Sequence, residues 1–339
     1  MERKLATIQK ILTLNPIEGA DKIEQATIKG WNLIVGKDEF KVGDLVVLCE
    51  IDSVLPDKPE FEFMRPRKFR VKTIKLKGVI SQGLALPLSL LPEGDYVEGQ
   101  EVTELLGITK YEAPIPACLA GIMKGSFPGF IQRTDEERIQ NIPHILEYYS
   151  NKGPFIYTEK IDGTSATFYI YKGEFGVCSR NIDLQQPEEE HPDKILNVYW
   201  KVAKTLGIEA KMRNFGDNFA LQGEIIGEVI QDNKYNLKGY KLFIFDLFDI
   251  ATQQYVAPNK LVDICQHFNL QTVPAITTTK TLPPTVDELV EFSQIKSTVN
   301  TNIPAEGLVV RPKSLIIDHR LGRLSFKVIN PEFLLHFGE

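Results

Sequence analysis

Hydrophobic and polar positions alternate in short runs through the first third of the chain. The stretch 26–56 contains two strand-like runs, each ended by glycine, aspartate or proline, and Gly43-Asp44 reads as a turn between them. A further strand-like region covers residues 68–88. Because several short strands with little helix are typical of a closed sheet, the pattern predicts a small β-barrel over residues 1–110.

An OB-type barrel is the architecture that we expect for this first domain, although periodicity alone does not separate it from another small barrel. Residues 111–154 are richer in proline and glycine, so we place the domain boundary after residue 110. The segment 134–150 predicts a helix, with Thr134 and Glu137 as a capping box and a kink or stop at Pro143.

From residue 155 onward, strand-like runs alternate with helical ones, which predicts an α+β domain with largely antiparallel sheets and flanking helices over residues 111–339. One hairpin is expected to turn at Lys172-Gly173. The other predicted strands are FIYTEK, NFALQGEIIG, KLFIFDLFDI, EGLVVRP and RLSFKVIN, and the predicted helices are DKILNVYWKVAKTLG and those near 259–268 and 285–296.

Composition narrows the class of protein. The 339 residues are 43% hydrophobic and 25% charged, which suits a globular protein of two domains. A net charge of −6 argues against a protein that coats nucleic acid through general positive charge, so any contact with a polyanion must be local. The four cysteines form no C-x-x-C pair, and no apolar run is long enough to span a membrane. We therefore expect an intracellular, cytoplasmic protein without zinc, disulfides or membrane segments.

The stretch YTEKIDGTSATFYIY (157–171) contains the first candidate chemistry, because Lys160 lies between Glu159 and Asp162 just before a glycine. Such a lysine is either part of an ion pair or a nucleophile. The pattern Lys-x-Asp-Gly alone is weak, since roughly 5–10% of chains this long contain it by chance. Further segments follow in order, and each alone has an ordinary structural interpretation: CSRN with Arg180, LQGEIIG with Glu224 beside two glycines that would let a ligand approach, LFIFDLFD with Phe245, AEGLVVR with Glu306, and LSFKVIN with Lys327.

In this order and spacing, the segments resemble those of the covalent nucleotidyltransferase superfamily of polynucleotide ligases and mRNA capping enzymes, and most of all the ATP-dependent RNA ligases. The resemblance covers about residues 155–330. It implies that Lys160 carries the nucleotide as a phosphoramidate and that Lys327 meets the α-phosphate. Ser325 departs from the family pattern, which has a second lysine there. The implied nucleotide contacts are Glu159, Lys160, Ile161, Arg180, Glu224, Phe245 and Lys327, and the implied ligands of Mg²⁺ or Mn²⁺ are Asp162, Glu224 and Glu306.

Side-chain alternation supports a nucleophilic Lys160. Along the strand, Thr158 and Lys160 share one face and Glu159 points to the other, so Glu159 is not its direct ion partner. Glu306 is expected to share a face with Leu308. A lysine of ordinary pKa costs roughly 4.6 kcal/mol to deprotonate at pH 7, and nearby carboxylates increase that cost. A divalent cation among the carboxylates, held partly through water, would reverse the effect.

The base and the domain order favour RNA ligation with ATP. An ionised Glu159 only accepts hydrogen bonds, so it suits the amino group of adenine and counts against the GTP-using capping branch. Phe245 is placed to stack on the purine. Only twelve residues follow Lys327, whereas DNA ligases and capping enzymes carry their OB domain there. A barrel in front resembles a smaller RNA ligase group.

We therefore expect an ATP-dependent RNA ligase, active as a monomer, that joins 3′-hydroxyl and 5′-phosphate ends of RNA, with a nicked duplex as substrate. The alternatives are a non-catalytic OB-type nucleic-acid binder with a degenerate ligase domain, and a DNA ligase or capping-type enzyme. The basic segment 65–77 is expected to form a strand with Lys68, Arg70 and Lys72 on one face and a β-bulge at Thr73. It would grip the leaving pyrophosphate, or else contact the RNA backbone.

Overall fold

The computed structural model of the chain describes residues 4–111 and 123–338, so the predicted boundary at residue 110 falls at the edge of a stretch outside the described residues. The boundary itself stays a prediction. Within residues 4–111, the first domain contains nine strands and one short α-helix: β1 (Ala6–Pro16), β2 (Ile23–Ile28), β3 (Trp31–Gly36), β4 (Leu45–Cys49), β5 (Ser53–Val54), β6 (Ile74–Leu76), β7 (Val79–Ser81), β8 (Leu84–Pro87), β9 (Thr109–Lys110) and α1 (Thr103–Leu106).

The barrel sheet of this domain has the order β3-β2-β1-β4-β8, and all its pairs are antiparallel. The long strand β1 pairs with β4 through its first half and with β2 through its second, with a register shift between Ile11 and Thr13. A shift of this kind bends a strand, which lets one strand serve two neighbours. In β3, alternate residues Trp31, Leu33 and Val35 are buried in the core, as the period-2 pattern requires.

The basic segment differs from the prediction. Residues Pro59–Arg67 form a 3₁₀ helix, and Lys68 and Phe69 follow it with φ of 52° and 59°, so only Ile74–Leu76 is a strand. The expectation of one strand face with a bulge at Thr73 is therefore wrong. The stretch Pro59–Arg67 is unsuited to a strand, because Pro59 and Pro66 have no backbone N–H to donate to a neighbouring strand.

The second domain contains fifteen described strands: β10 (Met123–Ser126), β11 (Glu137–Arg138), β12 (Phe155–Lys160), β13 (Thr164–Tyr171), β14 (Glu174–Cys178), β15 (Ile182–Leu184), β16 (Phe219–Gly227), β17 (Tyr240–Asp249), β18 (Gln254–Tyr255), β19 (Gln271–Thr272), β20 (Ala275–Lys280), β21 (Gly307–Pro312), β22 (Ile317–Asp318), β23 (Gly322–Arg323) and β24 (Phe326–Ile329). Its described α-helices are α2 (His144–Tyr149), α3 (Val198–Thr205), α4 (Ile208–Phe215), α5 (Pro258–His267), α6 (Val286–Phe292) and α7 (Pro331–Phe337). Short 3₁₀ turns are found at Leu88–Leu90, Ile139–Asn141, Pro192–Lys194 and Gln231–Asn233.

Two sheets organise this domain. The large sheet runs β10-β15-β14-β13-β16-β17-β18, with β19 parallel to β17, and the small sheet runs β11-β24-β21-β12-β20. Helices α3, α4 and α5 cover one face of the large sheet in a common hydrophobic core. The mostly antiparallel α+β prediction is confirmed, as is the hairpin at Lys172-Gly173, whose φ angles of 52° and 80° suit a tight turn.

The helix predicted over 134–150 is mostly wrong. Residues Glu137–Arg138 form β11, and the α-helix begins only at His144, directly after Pro143. Thr134 caps no helix, because none begins directly after it, and its hydroxyl instead lies 2.9 Å from that of Ser165. The polar residues before Pro143 are used in contacts between elements, which outweigh their local helical preference.

Helix α7 joins the two domains. Its residues Phe333 and Leu334 lie in the hydrophobic core of the barrel. Lys72 donates to the carbonyl of Gly338 at 2.6 Å, and Lys75 lies 3.4 Å from Glu332. Two of the basic residues of 65–77 thus anchor the end of the chain to the barrel.

A second contact joins the β2–β3 turn to the segment before α2. The backbone N–H of Gly30 donates to the carbonyl of Gln140 at 3.0 Å, and Trp31 donates its ring N–H to Asn141 at 2.8 Å. A Cβ on Gly30 would lie 2.9 Å from the Cα of Gln140, so only glycine permits this approach. Across residues 4–111 and 123–338, no helix is long and apolar enough to cross a membrane.

Candidate active site

Lys160 lies at the end of β12, where the chain passes from the small sheet to the large one. Its Nζ is 2.7 Å from both carboxylate oxygens of Glu306. Burial by itself would lower the pKa of Lys160, but the carboxylates of Glu306, Glu224 and Asp162 outweigh it and hold that pKa above its ordinary value. Lys160 is therefore an ammonium paired with Glu306, and 26% of its side chain is exposed.

Glu306 does not follow the predicted alternation. Leu308 and Val310 are buried in the core behind the small sheet, whereas Glu306 lies before the first residue of β21 and reaches Lys160. The cause is Gly307, whose φ of 155° breaks the alternation. A Cβ there would lie 2.1 Å from the carbonyl oxygen of Val328, so a side chain at this position is excluded.

Glu224 extends from β16 toward the same place. Its Oε1 accepts a hydrogen bond from the backbone N–H of Gly163 at 3.1 Å. Gly163 must lack a side chain, because a Cβ would lie 2.3 Å from the carbonyl oxygen of Ile225. Burial raises the pKa of Glu224 to about 8, with Glu306 and Asp162 adding to the rise and Lys160 opposing it. The glycine of Lys-x-Asp-Gly thus lets the turn after the lysine's strand lie directly against β16, which carries Glu224.

Asp162 has a partner that sequence reasoning missed. Its Oδ2 lies 2.7 Å from the Nζ of Lys234, a side chain only 7% exposed, and its backbone N–H donates to the hydroxyl of Tyr235 at 2.8 Å. The Lys234 ammonium also lies over the rings of Phe333 and Phe337 of α7, at 5.1 Å and 4.8 Å. The motif aspartate is therefore connected through Lys234 to the helix that enters the barrel. No motif in the sequence marks Lys234.

The charge of this cluster suits a divalent cation. Three carboxylates, from Asp162, Glu224 and Glu306, share two ammonium groups, and one of the three is driven toward its neutral form. Within the described residues, however, no three His, Cys, Asp or Glu side chains converge closely enough to ligate one ion directly. A hydrated Mg²⁺ or Mn²⁺ fits both facts, because such ions keep several waters. The roles predicted for these carboxylates as ligands stay predictions.

Glu159 is buried and incompletely bonded. One carboxylate oxygen accepts hydrogen bonds from the backbone and hydroxyl of Thr298, and the other, Oε1, is buried without a partner among the described residues. A buried acceptor without a donor is costly, so this oxygen is suited to a ligand that brings an N–H. Glu159 and Lys160 do point to opposite faces of β12, as predicted.

Phe245 and Ile161 differ in what they offer a nucleotide. Phe245 is partly exposed between the buried residues Ile244 and Asp246, so its ring is available for stacking. The side chain of Ile161 is buried in a small apolar cluster with Tyr235, so only its backbone could contact a ligand.

Ser325 directly precedes β24, and Lys327 is the second residue of that strand. Lys327 is half-buried opposite Val309 of β21. Ser325 is buried, and its hydroxyl accepts a hydrogen bond from Nε of Arg311 at 3.0 Å. At the position where the resemblance implies a second lysine, this chain therefore has Ser325, which is hydrogen-bonded to Arg311.

Arg180 and the glycines of LQGEIIG lie outside the cluster. The exposed Arg180 pairs with Asp135, and its predicted nucleotide contact stays a prediction. Gly223 and Gly227 do not leave room for a ligand, because Cβ atoms there would lie 2.8 Å from the carbonyl of Phe243 and 2.0 Å from that of Gly239. The expectation that these glycines admit a ligand is wrong, since β17 and the turn before it fill the space.

Comparisons with known proteins agree with this geometry. An OB-fold domain family matches residues 5–88, and the RNA ligase family matches residues 153–329. A search of curated proteins returns no match. Among solved structures, a Naegleria gruberi RNA ligase mutant with ATP and Mn is 35% identical with a TM-score of 0.88, over 98% of this chain and 99% of that chain. The Naegleria gruberi RNA ligase with PPi is 36% identical with a TM-score of 0.88, over 99% of each chain.

A third structure, a Naegleria gruberi RNA ligase mutant with AMP and Mn, is 34% identical over 98% of this chain and 99% of that chain, with a TM-score of 0.88. The likeness extends over both domains, so the OB-fold prediction for the first is confirmed, as is the α+β ligase fold of the second. The cluster of Lys160, Glu224 and Glu306 lies within the matched ligase domain. This chain belongs to the RNA ligase family, with an OB-fold domain in front of its ligase domain.

Proposed function

We propose that the protein is an ATP-dependent RNA ligase that joins a 3′-hydroxyl to a 5′-phosphate, with Lys160 as the nucleophile. The observation that carries the proposal is the approach of Glu306 and Glu224 to a half-buried lysine at the junction of the two sheets. A structural ion pair needs one carboxylate, whereas three carboxylates raise the pKa of this lysine. Such an excess of negative charge suits a site that binds a divalent cation together with a phosphate.

Three steps follow from this assignment. In the first, Nζ of Lys160 forms a bond to the α-phosphorus of ATP while the bond to pyrophosphate breaks. The proton that Nζ loses has an acceptor at 2.7 Å in Glu306. The AMP then passes from Lys160 to a 5′-phosphate, which forms a 5′–5′ pyrophosphate linkage. Finally a 3′-hydroxyl attacks the 5′-phosphate, and AMP leaves as the strand is sealed.

A bound Mg²⁺ or Mn²⁺ would supply positive charge that lowers the pKa of Lys160 and offsets the charge of the phosphates. The chain's own residues supply the rest. Glu224 and Glu306 would hold the hydrated ion, and Asp162 is kept in place by Lys234. Lys327 lies on β24, where it would meet the α-phosphate. Positioned charge of this kind is most of the catalysis in phosphoryl transfer.

The adenine is recognised by Glu159 and Phe245. The unpartnered Oε1 of Glu159 accepts from the exocyclic amino group of adenine, while guanine presents an acceptor at that edge. The partly exposed ring of Phe245 provides the stacking surface.

The substrate is RNA, with a nick in a duplex as the preferred form and a monomer as the active state. A panel of matched nicks tests this proposal: RNA and DNA strands on either side, each with 3′-hydroxyl and 5′-phosphate ends. We expect efficient sealing when the 3′-hydroxyl strand is RNA and none when the 5′ end lacks its phosphate. Equal sealing of all-DNA nicks would instead support a DNA ligase, and binding without sealing would support a non-catalytic OB-type binder.

A further inference from the structure

Arg311 joins the two sheets of the ligase domain through four hydrogen bonds. Its Nη2 lies 2.8 Å from Oε1 of Glu136 and 3.1 Å from Oδ2 of Asp246. Its Nη1 donates to the backbone carbonyl of Phe245 at 2.9 Å, and its Nε donates to Ser325 at 3.0 Å. The side chain is 11% exposed, so these contacts are shielded from water.

The carbonyl that Arg311 holds belongs to a β-bulge. In the pairing of β16 with β17, Gln222 lies opposite Asp246 and Gly223 opposite Ile244, which leaves Phe245 without an opposite residue. A bulge leaves one residue outside the ladder and turns its side chain in a new direction. The bulge thus explains why the Phe245 ring is partly exposed while both neighbours are buried.

A bulged residue needs another partner for its backbone groups, because the sheet no longer supplies one. For the Phe245 carbonyl, that partner is the guanidinium of Arg311. The orientation of the Phe245 ring is therefore set from the small sheet, because Arg311 lies on β21. On the same strand, Val309 faces Lys327 of β24.

Building on the proposed function, we propose that Arg311 is a positioning residue for ATP: by holding the Phe245 carbonyl, it keeps the ring in the orientation that stacks on adenine. The same geometry explains Ser325. A lysine there would bring an ammonium against the Arg311 guanidinium in a buried site, whereas a serine hydroxyl accepts its N–H.

Arg323 provides a matched control. It binds Asp246 at 2.6 Å and Glu136 at 3.2 Å, so it shares the carboxylates of Arg311. Within the described residues, Arg323 donates hydrogen bonds to Asp246 and Glu136 but not to the Phe245 carbonyl. Arg311→Lys and Arg323→Lys both keep the charge and weaken the shared network, but only the first removes the contact to the bulge.

The test measures the initial rate of lysyl-AMP formation against ATP concentration, with the melting temperature of each variant. Arg311→Lys is expected to raise KM for ATP about tenfold, as partial loss of base–aromatic stacking would, while kcat changes less than about threefold. Arg323→Lys should lose comparable thermal stability with an unchanged KM. In a Phe245→Ala background, Arg311→Lys should raise KM no further, because the ring through which it acts is gone.

Equal effects of the two arginine substitutions on KM would overturn the proposal, as would an Arg311→Lys effect that persists in Phe245→Ala. Should Arg311→Lys not fold, Ser325→Ala takes its place, since it leaves Nε of Arg311 without its acceptor. We expect it to raise KM about two- to threefold in a Phe245-dependent way, and no rise overturns the proposal. A wild-type protein that forms no lysyl-AMP refutes the proposed function itself, whereas normal labelling with an unchanged KM in Arg311→Lys refutes this inference alone.

Discussion

Replacement of Glu224 by glutamine should make the metal-free protein more stable at pH 8. Burial and the neighbouring carboxylates raise the pKa of Glu224 from 4.5 to about 8 in the folded protein. A carboxyl group with a raised folded-state pKa stabilises the fold only while it is protonated. Its contribution is therefore complete below pH 4.5 and is lost as the pH rises toward 8.

The size of the effect follows from the same shift. A change from 4.5 to about 8 corresponds to at most about 5 kcal/mol. Glu224 is not fully buried and is coupled to Lys160, so solvent screening reduces this, and we expect about 2 kcal/mol. For a domain of this size that is about 5 °C in melting temperature. Glutamine keeps the oxygen that accepts from Gly163 but carries no charge.

The assay is the melting temperature of the wild type and Glu224→Gln between pH 5 and 8, first in EDTA and then with excess Mg²⁺. In EDTA, the wild type should lose stability relative to the variant as the pH rises. Added Mg²⁺ should restore the wild type more than the variant, because a dication favours the ionised carboxylate. Parallel pH profiles, or equal stabilisation by Mg²⁺, would refute the reasoning.

Three further substitutions test other parts of the site. Gly163→Ala should cost about 1–3 kcal/mol in urea unfolding, since its Cβ would lie 2.3 Å from the Ile225 carbonyl, and an unchanged midpoint would contradict the need for a glycine there. Glu159→Gln should raise KM for ATP about tenfold in initial-rate measurements, because an amide cannot accept from both Thr298 and adenine without misplacing its own N–H₂; an unchanged KM would exclude the contact. Lys72→Ala should lower stability by about 1 kcal/mol through loss of its bond to Gly338 and leave lysyl-AMP formation intact. If it instead slows adenylylation at an unchanged melting temperature, the basic segment does grip pyrophosphate.

The order of motifs predicted the ligase domain and the residues that meet in it, because each motif places a chemically distinctive side chain on or beside a strand of that domain. Lys160, Glu224 and Glu306 do come together, and Phe245 does expose its ring. Alternation failed at Glu306, where the φ of Gly307 changes the direction of the chain. Strand periodicity describes residues inside a strand, and catalytic side chains often lie just beyond its end.

Residues that act through tertiary contacts were beyond reach of the sequence. Lys234 lies in no motif, and Arg311 ends the segment AEGLVVR without a role that the sequence could assign, so the roles of both follow only from which strand or helix they meet. The strand geometry predicted for the basic segment was wrong for a related reason, because Lys72 and Lys75 meet Gly338 and Glu332 from the other end of the chain. Its role toward pyrophosphate or RNA stays a prediction. Since Phe333 of α7 lies in the barrel core, point substitutions test the barrel more cleanly than removal of the domain.

Covalent transfer of AMP to Lys160 is the central claim, and one labelling experiment tests it most directly. The wild type, Lys160→Ala and Lys313→Ala, an exposed lysine beyond β21, are incubated with α-phosphate-labelled ATP and Mg²⁺, and the modified residue is identified by mass spectrometry. We predict one AMP on Lys160 in the wild type and in Lys313→Ala, and none in Lys160→Ala. The Lys160→Ala protein should still seal a nick whose 5′ end is already adenylylated, since the last step does not use the amine. A covalent AMP adduct in Lys160→Ala, or an adduct on another residue of the wild type, would contradict the account.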